Sequence, residues 1–195
     1  MKYFVEIGTC DFDTNIQLIE SGNWQGIMCE PSHYYRSNLK RIIQNTPNIE
    51  NLIIEESAIS DFDGELEFAE AKDTSSGSRT LGYWRRGISS VIQENHKGER
   101  LFDLGDNQEF VAETYKVPCL TLDSLIKKHK VKNIDYLKID VEGHEMNILD
   151  AYSWSIKPSI IKMEHAHIDD IYAKTLLETL GYIVYVEHSD MYALI

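Results

Sequence analysis

At 195 residues, with 43% hydrophobic and 26% charged positions, the chain has the size and composition of one globular domain able to bury a proper core. Its 32 acidic against 19 basic residues leave a formal net charge of -13, which a phosphate backbone would repel, so nucleic acid is set aside as a substrate. No run approaches ~18 uninterrupted apolar residues, and no basic segment leads into an apolar one at the N-terminus, so neither a membrane span nor a signal peptide is expected and the chain is read as cytoplasmic. Cys10, Cys29 and Cys119 are widely spaced and odd in number, which argues for free thiols over disulfides or a zinc cluster.

The chain opens on an expected strand, Lys2 to Ile7, followed directly by Gly8. A first strand ending in a glycine turn is the plan of doubly wound nucleotide-binding folds, because a backbone without Cβ lets a cofactor come close. The full G-x-G-x-x-G is absent, which weighs against NAD or FAD and against an oxidoreductase. A second strand, Gly26 to Cys29, ends in Glu30, about twenty residues past the first turn, where a carboxylate can take hydrogen bonds from both hydroxyls of a ribose. Tyr35, Leu39, Ile42 and Ile43 then fall at helical spacing over His33 to Asn45, with Arg36, Lys40 and Arg41 on the opposite side.

Residues 51–59 read as a third strand, and Asp63-Gly64 as a turn into a hairpin strand, Glu65 to Ala71. Residues 72–113 carry no sustained periodicity and read as a long loop or lid within a single domain of 1–195. Tyr83, Trp84, Arg85 and Arg86 in this loop are candidates to cover a substrate or touch a second copy. Regular structure resumes with a strand at Val117 to Leu122 and a helix to His129 expected to be capped by Asp123.

The most informative stretch runs from Asp135 to Leu149. Ile134 to Ile139 is a short apolar run suited to a strand buried on both faces; Gly143 breaks it, and Met146, Ile148 and Leu149 begin a helical spacing. Asp140, Glu142 and Glu145 therefore fall at or just past the carboxyl end of a central strand, where open α/β sheets bind ligands. A helix cap needs only one acidic group, and three so close together repel one another. A further strand, Ser159 to Met163, ends in Glu164-His165-Ala166-His167. A helix from Ile171 to Leu180 and two paired strands, Tyr182 to Val186 and Met191 to Ile195, finish the chain.

Every position from Asp135 to Glu145 fits the D-x-L-K-I-D-x-E-G-x-E run that marks the FkbM-type family of S-adenosylmethionine-dependent methyltransferases, which the chain resembles. The resemblance extends from Tyr3 to about Ile168 and is weakest over 72–113. Glu6-Ile7-Gly8 looks like the first methyltransferase motif, E-P-S-x-x-Y-x-x-L spans Glu30 to Leu39, A-x-S-D-x-x-G-x-x-x-F spans Ala58 to Phe68, and V-x-x-x-T-L-D-x-L precedes the central run. One departure is Phe12, which stands where the family usually has a second glycine.

The resemblance implies a Rossmann-like class I methyltransferase fold, a mostly parallel seven-stranded sheet with helices on both faces. It implies S-adenosylmethionine as cofactor, held by Glu6, Gly8, Thr9, Asp13, Glu30, Ser57, Ala58 and Asp140, and O-methylation of a hydroxyl on a sugar or other small polyhydroxylated acceptor. For the proton on that hydroxyl, His165 is the first candidate base, since imidazole titrates near neutrality, with Asp140, Glu164 and Glu142 as carboxylates at the same strand ends. His144, Trp84 and Arg85 are the candidate substrate contacts. Asp140, Glu164 and His165 could also present ligands to a divalent ion, but nothing in their spacing demands one and no metal is expected. The alternative is a non-catalytic module that retains the fold and the cofactor, a reading that Phe12 would favour; a monomer or a homodimer fits either case.

Overall fold

The computed structural model describes residues 1–11, 14–72, 90–91 and 111–195. Five strands and two helices make the first half: β1 (Lys2–Ile7), α1 (Ile16–Glu20), β2 (Trp24–Cys29), α2 (His33–Ile43), β3 (Leu52–Glu55), β4 (Ala58–Ser60) and β5 (Gly64–Lys72). The second half comprises β6 (Ser90–Val91), β7 (Val111–Thr121), α3 (Leu122–Lys128), β8 (Tyr136–Ile139), α4 (Glu145–Ala151), β9 (Ile160–Glu164), α5 (Asp170–Thr179), β10 (Ile183–Glu187) and β11 (Asp190–Leu194).

Seven strands form one sheet in the order β10-β11-β9-β8-β1-β2-β3, parallel except for β11, which runs antiparallel to both its neighbours. The chain steps outward from β1 through β2 to β3, then returns to lay β8 on the other side of β1. The order thus reverses between β1 and β8, and in such sheets the crevice for a ligand opens at the carboxyl ends of the two strands at the reversal.

Side chains alternate between two cores, as the period of two along a strand requires. Val5, Ile7, Leu137, Ile139, Ile161 and Met163 pack with Leu125, Ile148, Leu149 and Leu177 of α3, α4 and α5 on one face, whereas Phe4 and Met28 pack with Ile19, Leu39 and Ile43 of α1 and α2 on the other. Each buried Leu, Ile or Phe in these layers contributes about 1.5–3 kcal/mol relative to an exposed position. Among the described residues no helix is long and apolar enough to cross a membrane.

Three elements differ from the sequence expectations. Residues 51–59 are not one strand: the Glu55 carboxylate accepts from the Ser57 amide at 3.2 Å and hydroxyl at 2.8 Å, a local turn that ends β3 and sends β4 into a second, four-stranded sheet of order β4-β7-β5-β6. The strand after Gly64 consequently makes no hairpin with β4; β7 lies between them, parallel to β4 and antiparallel to β5. Helix α3 is capped by the Thr121 hydroxyl, which accepts from the Ser124 amide at 3.1 Å, while Asp123 instead accepts from the amide and hydroxyl of Ser153. The expected loop over 72–113 lies, apart from the strand residues named above, outside the described residues, and so do Phe12, Asp13, Trp84 and Arg85.

Candidate functional site

The carboxyl ends of β1, β2 and β8 meet at the reversal. Gly8 follows β1 with a φ of +82°, and a Cβ built on it would stand 1.7 Å from the carbonyl oxygen of Asp140, so only glycine lets the two loops touch. Its neighbour Thr9 is buried, and the Thr9 hydroxyl oxygen has no hydrogen-bond partner among the described residues. Cys10, in the left-handed region at φ 54°, donates its amide to Glu30 Oε2 at 2.6 Å, while the Ser32 amide donates to Glu30 Oε1 at 2.7 Å. Gly8, Glu30 and Asp140 are therefore brought to one crevice.

Burial pushes the Glu30 carboxyl up to about 7 despite those amide bonds and the nearby Arg36 guanidinium. Arg36, expected on the exposed side of α2, is buried: its Nη1 donates to the carbonyls of Glu30 at 2.9 Å and Pro31 at 3.0 Å. Ser32 caps α2 by accepting from the Tyr35 amide and also donates to Glu70 Oε2 at 2.7 Å, and Glu70 accepts from the Tyr115 hydroxyl as well. The second sheet thereby buttresses the end of β2. Ser57 and Ala58 sit one strand further out, past Glu55, whose backbone carbonyl accepts from the Glu30 amide at 2.9 Å. Burial would raise the Glu55 carboxyl, but bonds from Lys128, His129 and Ser57 outweigh it and hold the group at about 2.

Glu6 is fully buried on β1 and faces Lys138, its neighbour in register on β8, with Lys138 Nζ 3.4 Å from Glu6 Oε1 and 3.7 Å from Asp140 Oδ2. The Asn15 amide donates to Glu6 Oε2 at 3.0 Å, which ties the start of α1 to the end of β1. Desolvation raises the Glu6 pKa, with the Lys138 charge working against it. Sequence reasoning missed Lys138, because a lysine inside an apolar run carries no mark of its partner across the sheet.

At β8 and β9 the chemistry changes. Glu142, in the left-handed region at φ 56°, and Glu164, the last residue of β9, converge with His167 from the loop before α5; one ligand atom from each lies within 4.8 Å of the others. Glu145 accepts from the Val141 amide at 2.9 Å through Oε1. Desolvation and then the mutual repulsion of these carboxylates push Glu142 and Glu145 up to about 8 and Glu164 up to about 7.

The two remaining histidines of the region lie elsewhere. His165 is anchored to the β10–β11 turn: its amide donates to the Ser189 carbonyl at 2.9 Å and its Nε2 lies 3.1 Å from the His188 carbonyl. Since a carbonyl only accepts, Nε2 carries the proton, and in the neutral ring Nδ1 holds the lone pair. His144 is buried at the start of α4 with Nε2 2.7 Å from the Ser60 hydroxyl, and burial lowers its pKa to about 4. It therefore stays a neutral link between α4 and the second sheet.

A parallel sheet reversing between β1 and β8, with a glycine turn and an acidic second strand at the reversal, places the molecule among the Rossmann-like α/β proteins. More narrowly, the chain belongs to the FkbM methyltransferase family, whose domain model, Methyltransferase FkbM domain, matches residues 6–193. The fold is similar to that of Methyltransferase FkbM from Methylobacillus flagellatus KT, with a TM-score of 0.58 and 15% identity over 98% of this chain and 43% of that one. The chain thus spans less than half the length of that protein. A Precorrin-6y C5,15-methyltransferase from Geobacter metallireducens GS-15 aligns with a TM-score of 0.49 and 12% identity over 98% of this chain and 77% of its own. No curated protein sequence matches the chain.

Proposed function

We propose that the protein is an S-adenosylmethionine-dependent O-methyltransferase acting on a hydroxyl of a sugar or another small polyhydroxylated acceptor. The observation that carries this reading is the contact of Gly8 with the Asp140 carbonyl beside a buried Glu30, which gathers the ends of β1, β2 and β8 at the point where the strand order reverses. The buried, partnerless Thr9 hydroxyl fits it too, as a polar group that a ligand would satisfy.

S-adenosylmethionine supplies a methyl group on a positively charged sulfur, so the protein has to align an acceptor oxygen with that carbon and receive its proton. Glu30 takes the ribose hydroxyls, each of its oxygens retaining a lone pair beyond the one used by Cys10 or Ser32. Gly8 and Thr9 pass close to the cofactor backbone, Ser57 and Ala58 border the adenine, and Asp140 with Glu6 behind Lys138 keeps the floor of the crevice negative opposite a cation. His165 receives the hydroxyl proton on Nδ1, its tautomer set by the His188 carbonyl. Glu142 and Glu164 face the acceptor.

Calorimetry with S-adenosylmethionine and S-adenosylhomocysteine tests the first half. Binding of both is expected, with Glu30→Ala weakening each by about 5- to 150-fold, on the order of 1–3 kcal/mol for a lost buried hydrogen-bonded contact. An unchanged Kd would remove Glu30 from the site, and no affinity for either compound would end the reading. Transfer of a labelled methyl group to a panel of saccharides tests the second half, with loss of turnover but not of cofactor affinity expected in His165→Ala.

A further inference from the structure

The strand ends at β8 and β9 gather more carboxyl oxygens than the described residues supply with hydrogen-bond donors. Glu142 Oε2 lies 3.7 Å from His167 Nε2, and Glu164 closes the triangle with all three donor atoms within 4.8 Å of one another. The three come from separate elements, the β8–α4 turn, the last position of β9 and the loop ahead of α5, so their convergence is a product of the fold and not of a local acidic run. Glu142 adopts φ 56° to reach this place, a conformation that costs a residue with a Cβ about 1–3 kcal/mol unless something repays it.

Two further atoms point to an absent electropositive partner. Glu164 Oε2 is buried and has no hydrogen-bond donor among the described residues. Close to the triangle lies Glu145, only 1% exposed, with Oε1 occupied by the Val141 amide and Oε2 buried without a partner among the described residues. Glu145 is near enough to act on Glu142, and Glu164 and Asp140 act on both. Buried carboxylate oxygens without donors are rare in folded proteins, because each forfeits its hydration.

Donor chemistry and spacing select the partner. Three ligand atoms held about 2.0–2.2 Å from one ion stand at most about 3.8 Å from one another in a symmetric arrangement; the Glu142–His167 pair at 3.7 Å already meets this, and Glu164 needs to close by no more than about 1 Å. Two carboxylates and one imidazole are a mixed oxygen and nitrogen set, suited to first-row divalent ions; calcium and magnesium prefer oxygen alone. We propose that Glu142, Glu164 and His167 bind one divalent first-row transition cation, with the free oxygen of Glu145 behind them. Three protein ligands leave coordination positions open toward Asp140 and the crevice, where a hydroxyl or water can enter. The site needs no bound cofactor, so it stands or falls apart from the methyl transfer proposed above.

The test is titration of Mn²⁺ into chelator-stripped protein, followed by calorimetry and by the paramagnetic resonance signal of free Mn²⁺, without S-adenosylmethionine. One Mn²⁺ per chain is expected, displaced by Zn²⁺ as the order of divalent affinities requires. His167→Ala and Glu142→Gln should each weaken it by at least ~10-fold, as loss of a coordinating contact does. His167 is 39% exposed, so its alanine variant is expected to keep the melting temperature of the stripped wild type. Glu178→Gln, on the exposed face of α5, should leave Mn²⁺ binding unchanged. Absence of a one-to-one site, equal binding by His167→Ala, or an equal loss in Glu178→Gln, which would mean diffuse attraction to an acidic surface, each overturns the proposal.

Discussion

The two halves of the carboxyl edge solve the burial of acidic groups in opposite ways. At β1, β2 and β3 the carboxylates are mostly matched: Glu30 receives two backbone amides, Glu6 faces Lys138 and the Asn15 amide although its Oε1 has no hydrogen-bond donor among the described residues, and Glu55 is held by Lys128, His129 and Ser57. At β8 and β9 they are left against one another, with buried oxygens of Glu145 and Glu164 lacking donors among the described residues. Buried charge costs several kcal/mol per ion unless paired, so the first half is a finished surface that a ligand can dock on, whereas the second gains stability only when something positive or protonated enters.

Four measurements sharpen or break this contrast. Gly8→Ala should act hardest on the finished half, since it combines an unfavourable φ with a steric overlap on Asp140; a loss of about 3–5 kcal/mol is expected in urea unfolding, and a variant within 1 kcal/mol of wild type would show that the loops can part.

Next comes Glu145→Gln, measured in chelator at pH 5 and pH 8. The folded pKa of about 8 lies above the ordinary 4.5, so the folded state holds the proton more tightly; the associated stability is complete below about pH 4.5 and is lost as pH rises toward 8. Gln keeps an oxygen for the Val141 amide without the charge, so the variant should gain on the order of 4 kcal/mol at pH 8 and less than about 1 kcal/mol at pH 5. A constant difference at both pH values would mean that Glu145 is not buried against like charges.

Ser32→Ala removes a helix cap and the hydroxyl donor to Glu70, and a cost of ~1 kcal/mol in thermal unfolding is expected. An effect indistinguishable from zero would detach the second sheet from the β2 end. Smallest of all, Lys116→Ala breaks only an exposed 3.9 Å pair with Glu65 and should change stability by less than about 0.5 kcal/mol; a larger loss would show that exposed charges contribute more here than the buried edge suggests.

The main sheet was legible because each of its strands is a short apolar run bounded by a breaker, and the glycine turn and Glu30 stand at the interval a nucleoside fold demands. Other features were hidden for identifiable reasons. Glu55 and Ser57 break what reads as one strand, because a side chain bonding to its own backbone competes with the ladder without altering the hydrophobic pattern. Thr121 and Asp123 are both good caps, and the choice between them fell to Ser153, a residue far along the chain. A linear reading ranks His165 first and passes over His167; the β10–β11 turn draws His165 to the His188 carbonyl, while His167 faces Glu142.

Read alone, the sequence determined the family, the order of elements along the chain and the acidic character of three strand ends, since these depend on residue type and on spacing within one segment. The tertiary structure alone decided which groups meet: Lys138 with Glu6, Arg36 with the Glu30 carbonyl, and His167 with Glu142 and Glu164. The physical reason is that pairing across a sheet depends on register and burial between segments far apart in the chain, and the energy of a charge depends on the neighbours and the water it is left with.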